Sequence, residues 1–526
     1  MGLPGTGEGG VGNLSDLVRR AAHVFPDKVA LLFREDAVSW AELDRRVDAV
    51  AAGLQSRPLN RGDRVALLLG NTPDYVAAYF GILRAGLVAV PINTAYTADE
   101  LTYLLSDSGT RMALCGRAAA PVVTALSEIL SSLETVLVTD TAAVSGTATY
   151  DELLLPDRPV EPVTGGEDLA VLMYTSGTSG RPKGAMLSHR ALIGNLEQTA
   201  RIRPRTIDAD DIVLLVLPLF HIYGLNGGLG EVAFHGATGV LVERFDPVET
   251  LADISRHSVS TVMGAPPMFI AWSMLPGVGE AFQTVRLAVS GAAPLPPAVH
   301  RSMLEQTGHH VFEGYGLTET APVLTTTLTS EEPKSGSIGR PIPGVELRLL
   351  NDDRSEVEED DPGEIVVRGV NLFSGYWPDG REGPDGEGWL GTGDVAYADD
   401  DGDLFLVDRM RELILVSGFN VYPREVENAL SQHPDIAEVA VIGIAHPYTG
   451  ESVKALVRLR EGARLSAEDV IEYGALSLAR FKCPTTVQFV TEFPHTATGR
   501  VAKGQLRAAE AAGAGVAAAD DGAGLL

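Results

Sequence analysis

Four serine and threonine hydroxyls, a lysine and several glycines are crowded into Tyr174-Thr175-Ser176-Gly177-Thr178-Ser179-Gly180-Arg181-Pro182-Lys183-Gly184. Small residues let a backbone curl so that its N–H groups point inward. The hydroxyls of Thr175, Ser176, Thr178 and Ser179 add donors and Lys183 adds a mobile positive charge, which together make a cradle for phosphate oxygens. The context differs from a Walker loop, in which Gly-Lys is followed by Ser or Thr at the opening of a helix. Here Pro182 precedes the lysine and Gly184 follows it. A flexible surface loop is the alternative for any Gly/Ser/Thr-rich stretch between elements.

A second cluster, Glu313-Gly314-Tyr315-Gly316-Leu317-Thr318-Glu319, combines a ring suited to stacking, two glycines, a hydroxyl and a carboxylate. A surface turn with Thr318 as a helix N-cap accounts for any one of these residues and poorly for the set. Asp394, after Gly391-Thr392-Gly393, offers two acceptor oxygens of the kind that suits a ribose diol. His221 lies in Pro218-Leu219-Phe220-His221-Ile222-Tyr223-Gly224, where the residues alone read as a histidine packed among aromatics.

These groups need elements that aim them at one place. Residues 169–173 form an apolar run before the loop, and a helix-like segment begins at Ala191. Upstream, 65–69 reads as a buried strand, 73–85 as a helix and 88–91 as a strand, with further strands at 112–114 and 135–138; this alternation signals parallel α/β architecture. Between 14 and 51 apolar residues recur at helical spacing around an extended piece at 29–33, with Ser39 an N-cap. Residues 212–217, 261–264 and 287–290 read as strands that break into turns. Ligands collect at the carboxyl ends of strands in open parallel sheets, so these turns should face one crevice. The small-residue run 227–237 is read as close packing. Short alternating strands at 339–370 predict a small antiparallel barrel, and 412–503 alternates strands (439–444, 453–459) with helices (424–432, 467–476) as a compact α+β lid.

With 526 residues the chain exceeds a single core and should divide into a large and a smaller unit. A net charge of -29 argues against sequence-independent binding to nucleic acid, so cations must be concentrated locally to meet anionic ligands. Cys115 and Cys483 are the only cysteines, far apart and in no metal-ligand spacing, which fits a reducing cytosol. No run approaches the ~20 apolar residues of a membrane span, and a cytoplasmic location is expected.

In their order and spacing, the 174–184 loop, Glu313 to Glu319, Gly391 to Asp394 and Asp408-Arg409 resemble the adenylate-forming superfamily of acyl-CoA synthetases, luciferases and peptide-synthetase adenylation domains. The likeness runs from about Leu14 to Gln505, and Val407-Asp408-Arg409 with 414–423 most resembles bacterial fatty-acyl-CoA ligases. The resemblance implies an α/β fold: a large N-terminal domain (1–410) of parallel α/β layers plus a small β-barrel, a small mobile α+β C-terminal domain (411–507) and a disordered tail (508–526). It implies an ATP-dependent ligase that turns a medium- or long-chain fatty acid into its CoA thioester through an acyl-AMP, with Mg²⁺. An aryl or other small acid, or a catalytically weak nucleotide- and acyl-binding protein, are the alternatives.

By the same resemblance, Thr175, Ser176, Gly177, Thr178, Ser179, Gly180 and Lys183 hold the ATP phosphates. Adenine lies against Gly291, Ala292 and Ala293, near Tyr315 in the Glu313-Gly314-Tyr315-Gly316 segment. Thr318 donates to the α-phosphate, Glu319 helps hold Mg²⁺, and Asp394 with Arg409 takes the ribose. His221, Tyr223, Met263 and Gly264 border the acyl substrate. Rotation about a hinge at Arg411 then turns Ser417, Gly418 and Phe419 toward the adenylate, with Gly418 leaving room for the thiol arm of coenzyme A. The superfamily's adenylation lysine directly follows a Gly, and Arg500 stands there. Either Arg500 does that work in altered geometry, or Lys503 substitutes from the next turn, or adenylation is impaired. The implied partners are a small carboxylic acid, ATP and CoA, with no nucleic acid and no membrane span; a homodimer is left open.

Overall fold

The computed structural model describes residues 12–139, 147–175, 182–330, 333–351, 353–358, 361–409, 412, 414–416, 419–446, 450–478, 480–495 and 501–511. Two compact units emerge, 1–347 with 367–390, and 348–366 with 391–526.

The first unit carries two sheets. In the seven-stranded sheet, Ala148–Thr149, Thr135–Val138, Met112–Cys115, Arg64–Leu68, Val88–Pro91 and Leu169–Thr175 run parallel in that spatial order, and Lys183–Ser188 closes the edge antiparallel to Leu169–Thr175. The nine-stranded sheet has a parallel centre of Val311–Gly316, Leu287–Ser290, Thr261–Gly264, Ile212–Leu215, Thr238–Leu241 and Val29–Phe33. Antiparallel strands flank it, Asp36–Ser39 on one side and Val323–Thr326 then Arg340–Pro341 on the other.

Local chemistry explains the crossover helices. Thr72 caps Pro73–Arg84 by accepting from Tyr75 N at 3.2 Å, with proline at the first helical position, where no N–H is needed. Ser39 accepts from Glu42 N and caps Trp40–Gln55 as its sequence position predicts. Helices then bury their apolar faces on the sheets. Trp272, Phe269, Phe282 and Met303 are fully buried against the nine-stranded sheet, each large side chain contributing about 1.5–3 kcal/mol. Leu101, Leu104, Val123 and Leu126 do the same on the seven-stranded one.

The second unit holds most of a four-stranded sheet, Glu346–Leu350, Gly363–Arg368, Leu390–Ala398 and Leu404–Arg409 in sequential order. The expected small barrel is thus a sheet in linear order, with no pairing of its first and last strands among the described residues. A ring of four strands would leave no interior for side chains. A five-stranded sheet follows, built on the antiparallel pair Ile436–His446 and Gly450–Leu459, with Ile414–Val416, Phe419–Val421 and Thr486–Phe489 around it. Helices Pro423–Ser431, Ala467–Gly474 and Lys503–Ala511 complete this unit. The last corrects the tail expectation, since residues 508–511 are helical: alanine-rich sequence was read as disorder although Ala is the strongest helix former.

Candidate functional site

Four neighbouring parallel strands end at one edge of the nine-stranded sheet, and each delivers residues singled out in the sequence. After Ile212–Leu215 comes the His221 turn; Thr261–Gly264 ends at Met263 and Gly264; Leu287–Ser290 opens into Gly291, Ala292 and Ala293; Val311–Gly316 carries Glu313, Gly314, Tyr315 and Gly316 and continues to Thr318 and Glu319. These turns therefore lie along the carboxyl edge of the parallel strands.

The His221 turn is clamped from below. Asn71 donates to Leu215 O and Leu217 O at 3.1 and 2.9 Å and accepts from Leu219 N at 2.9 Å, while the Tyr75 hydroxyl donates to Leu219 O at 2.8 Å. A π-helix, Tyr223–Gly230, then starts, an unusual element that its glycine-rich sequence gave no sign of. A Cβ on Gly224 would lie 2.4 Å from Pro218 O, so the close approach demands glycine. The Tyr223 ring fills the space at Gly291, where a Cβ would come within 2.7 Å of it. The slot at Gly291 therefore receives a protein ring. Burial pushes the Tyr223 hydroxyl above its ordinary range, so it stays protonated.

Beyond the next strand, Ala292 adopts φ +70, a left-handed conformation that costs a side-chain-bearing residue energy and marks a turn held in place by its surroundings. One such restraint is Glu313, which is buried and accepts from Leu295 N at 2.9 Å. Glu313 thereby braces the 291–295 turn. Gly316 is sterically required, because a Cβ would sit 1.8 Å from Pro322 O. Thr318 is the first residue of a 3₁₀ turn, Thr318–Thr320, preceded by Leu317, so it is not the helix cap that the bland reading offered.

Thr175 and Lys183 come from the other sheet, opposite each other at the ends of an antiparallel hairpin. The phosphate-loop residues Ser176, Gly177, Thr178, Ser179 and Gly180 lie outside the described residues. A strand, not a helix, follows the loop, which separates it from a Walker arrangement. The hairpin base is held by Tyr103, whose hydroxyl donates to Pro182 O at 3.0 Å, and by Asp107, which accepts from the Tyr174 hydroxyl at 2.6 Å. Burial, with that bond to Asp107, raises the Tyr174 hydroxyl well above its ordinary range and keeps it a donor.

A segment the sequence left unassigned ties the two sheets' contributions together. Ser374 N donates to Met186 O at 2.9 Å, Met186 N to Gly375 O at 3.1 Å and Trp377 N to Gly184 O at 2.8 Å, so the backbone of 374–377 lies along the Lys183–Ser188 strand. Its neighbour Phe373 N donates to Glu319 O at 2.9 Å. Tyr376 consequently stands between two predicted site residues. The Lys183 ammonium lies 5.0 Å from the centroid of its ring, and its hydroxyl donates to Glu319 Oε1. Lys183 Nζ also pairs with Glu382 Oε1 at 2.5 Å. Turn-rich sequence around Tyr376 gave only a weak signal: the aromatic pair Tyr376-Trp377 before Pro378. Glu319 offers a half-buried carboxylate already oriented by a neutral donor, which fits Mg²⁺, an ion that takes oxygen ligands and is commonly held by one or two carboxylates plus phosphates.

In the second unit, Asp394 is buried, and strand register sets it opposite Arg409. Lys503 Nζ lies 2.7 Å from Glu427 Oε1 and 3.3 Å from Glu412 Oε2. Phe419 begins the strand Phe419–Val421. Arg411, Ser417, Gly418 and Arg500 lie outside the described residues.

The AMP-binding enzyme family matches residues 18–377, and the AMP-binding enzyme C-terminal domain matches residues 425–500. The long-chain-fatty-acid–CoA ligase of Bacillus subtilis (strain 168) is 32% identical over 525 residues, covering 94% of each chain. The feruloyl-CoA synthase of Amycolatopsis sp is 35% identical over 492 residues, 93% of this chain and 97% of that protein. The crystal structure of ATP bound MatB from Rhodopseudomonas palustris is similar at a TM-score of 0.86 and 32% identity, over 94% of this chain and 98% of that one. The chain belongs to the AMP-binding enzyme family. It is an adenylate-forming CoA ligase, with α/β architecture and a small C-terminal domain. Among the described residues no helix is long and apolar enough to cross a membrane.

Proposed function

We propose that the enzyme activates a medium- or long-chain fatty acid in the cytoplasm: the carboxylate attacks the α-phosphorus of ATP, pyrophosphate leaves, and the CoA thiol then displaces AMP. The observation that carries this reading is that Tyr376 touches both Lys183 and Glu319, the latter just beyond one parallel strand of the sheet in which another strand leads to His221 and Tyr223. Carboxylate and triphosphate repel by on the order of 4 kcal/mol per charge pair at about 4 Å and an effective dielectric near 20. Lys183 offsets part of that on the β- and γ-phosphate side, Thr318 donates to the α-phosphate, and Glu319 would hold Mg²⁺. When bound, the ion would supply positive charge beside the phosphates. Asp394 and Arg409 hold the ribose, and Gly291 to Ala293 with Tyr315 bound the adenine.

For the second half-reaction the small domain turns about Arg411, bringing Ser417, Gly418 and Phe419 to the thiol path. Arg500 supplies the adenylation cation; the ion pairs of Lys503 with Glu427 and Glu412 favour that assignment over Lys503. A second reading, an aryl acid, is favoured by the 35% identity to the feruloyl-CoA synthase of Amycolatopsis sp. CoA-dependent AMP release with octanoate, palmitate, oleate, ferulate, benzoate and malonate separates the readings. Highest kcat/KM on the long aliphatic acids supports the proposal, and preference for ferulate or benzoate replaces it with the aryl reading.

A further inference from the structure

We propose that Tyr376 is a positioning residue that sets the spacing between the two charges gripping the triphosphate, its hydroxyl fixing Glu319 and its ring standing against Lys183. The inference rests on the roles proposed above for Glu319 and Lys183. Three observations carry it. The Tyr376 hydroxyl donates to Glu319 Oε1, and the Lys183 ammonium lies 5.0 Å from the ring centroid of the same side chain. The backbone around Tyr376 is bonded both to the Lys183 strand, through Trp377 N to Gly184 O, and to the Glu319 turn, through Phe373 N to Glu319 O. The ring itself is held edge-on to Phe373, centroids 5.1 Å apart at 78°.

The physical problem that such a residue solves is general. A lysine and a glutamate aimed at one ligand attract each other, and once paired each is lost to the ligand. An aromatic ring between them satisfies the cation through its face without neutralising it, and a phenolic hydroxyl orients the carboxylate while leaving its charge intact. Lys183 is ion-paired with Glu382 at 2.5 Å, a largely exposed pair that the triphosphate must displace, so what the ring prevents is pairing with Glu319 in particular. Tyr376 touches no reacting atom in this scheme. It acts through Glu319 and Lys183.

Tyr376→Phe keeps the ring and removes the hydroxyl; Tyr376→Leu removes both. The test uses the full chain with ATP. Mn²⁺ affinity is read from the electron-paramagnetic signal of the free ion, and metal-free ATP affinity is read calorimetrically in EDTA. Tyr376→Phe should weaken Mn²⁺ binding roughly tenfold while leaving metal-free ATP affinity within about twofold, because oriented carboxylates depend on their outer partners. Tyr376→Leu should weaken both. Melting temperatures measured alongside show that the variants are folded, and Glu319→Gln calibrates the loss of the ligand itself. If Glu319→Gln weakens Mn²⁺ binding and Tyr376→Phe does not, the positioning role is overturned and the metal assignment stands. If Glu319→Gln has no effect, the metal assignment fails and takes this inference with it. Unchanged metal-free ATP binding in Tyr376→Leu overturns the spacing of Lys183.

Discussion

Glu313 shows how one side chain can serve a ligand it need not touch. It reads from sequence as part of a nucleotide motif, yet its carboxylate accepts from Leu295 N, fixing the turn on which Ala292 is held at φ +70. Glu313→Ala would strand that buried N–H, a loss of about 1–3 kcal/mol, and the released turn should raise the KM for ATP by roughly tenfold. Glu313→Gln still offers an acceptor oxygen and should restore most of both. Denaturant titration with initial rates checks this pair; equal behaviour of the two variants would exclude the bracing role. At this scale the sequence was informative about identity and poor about partners. Residue types at 313–319 announced a nucleotide site, but which carboxylate faces ligand and which faces a backbone amide depends on strands 13 or more residues apart meeting in space. Asn71 and Tyr75 belong to no motif in the sequence, and their place is beneath the His221 turn.

The element that most governs the site is the hairpin Leu169–Thr175 and Lys183–Ser188. Its first strand was legible as an apolar run, whereas Lys183-Gly184-Ala185-Met186-Leu187-Ser188 lacks the β-branched residues that signal a strand and is recruited by pairing alone. The π-helix at Tyr223–Gly230 was hidden for a related reason, since it depends on close backbone approach at Gly224 and not on periodicity. Directly after the hairpin, His189 opens the helix His189–Thr199, buried, with Leu14 N donating to its Nδ1 at 3.0 Å. Burial lowers its pKa from 6.5 to about 4. Between those values the unfolded chain takes up a proton that the folded chain refuses. Stability from this group is therefore whole above pH 6.5 and is lost as pH falls toward 4, by up to about 3 kcal/mol. His189→Gln should flatten the pH dependence of unfolding free energy across that window, and a slope identical to the parent's would refute the assignment.

At the scale of the molecule, 70 acidic residues against 41 basic ones make every cation near an anionic ligand a local arrangement. Lys503 is committed to Glu427 and Glu412 within the second unit. Arg500→Ala should therefore slow pyrophosphate exchange by on the order of a hundredfold and leave thioester formation from preformed acyl-adenylate nearly unchanged. Equal losses in both half-reactions would sink that division of labour. Length and composition were enough to anticipate two units, and strand-helix alternation enough for the parallel sheets. Short alternating strands specified neighbours in the small sheet and left its closure open. The sheet-to-sheet link through Tyr376 left only the weak local pattern of an aromatic pair before Pro378, being made by a turn nearly two hundred residues downstream of the hairpin it joins.

Thr175 and Lys183 face each other across the mouth of their hairpin, pinned by ladder bonds on either strand. Where a phosphate loop feeds a helix, one inserted residue would rotate everything downstream by about 100°. Here the lysine's register is set by the ladder with Leu169–Thr175, so a length change between those two positions would leave its aim unchanged.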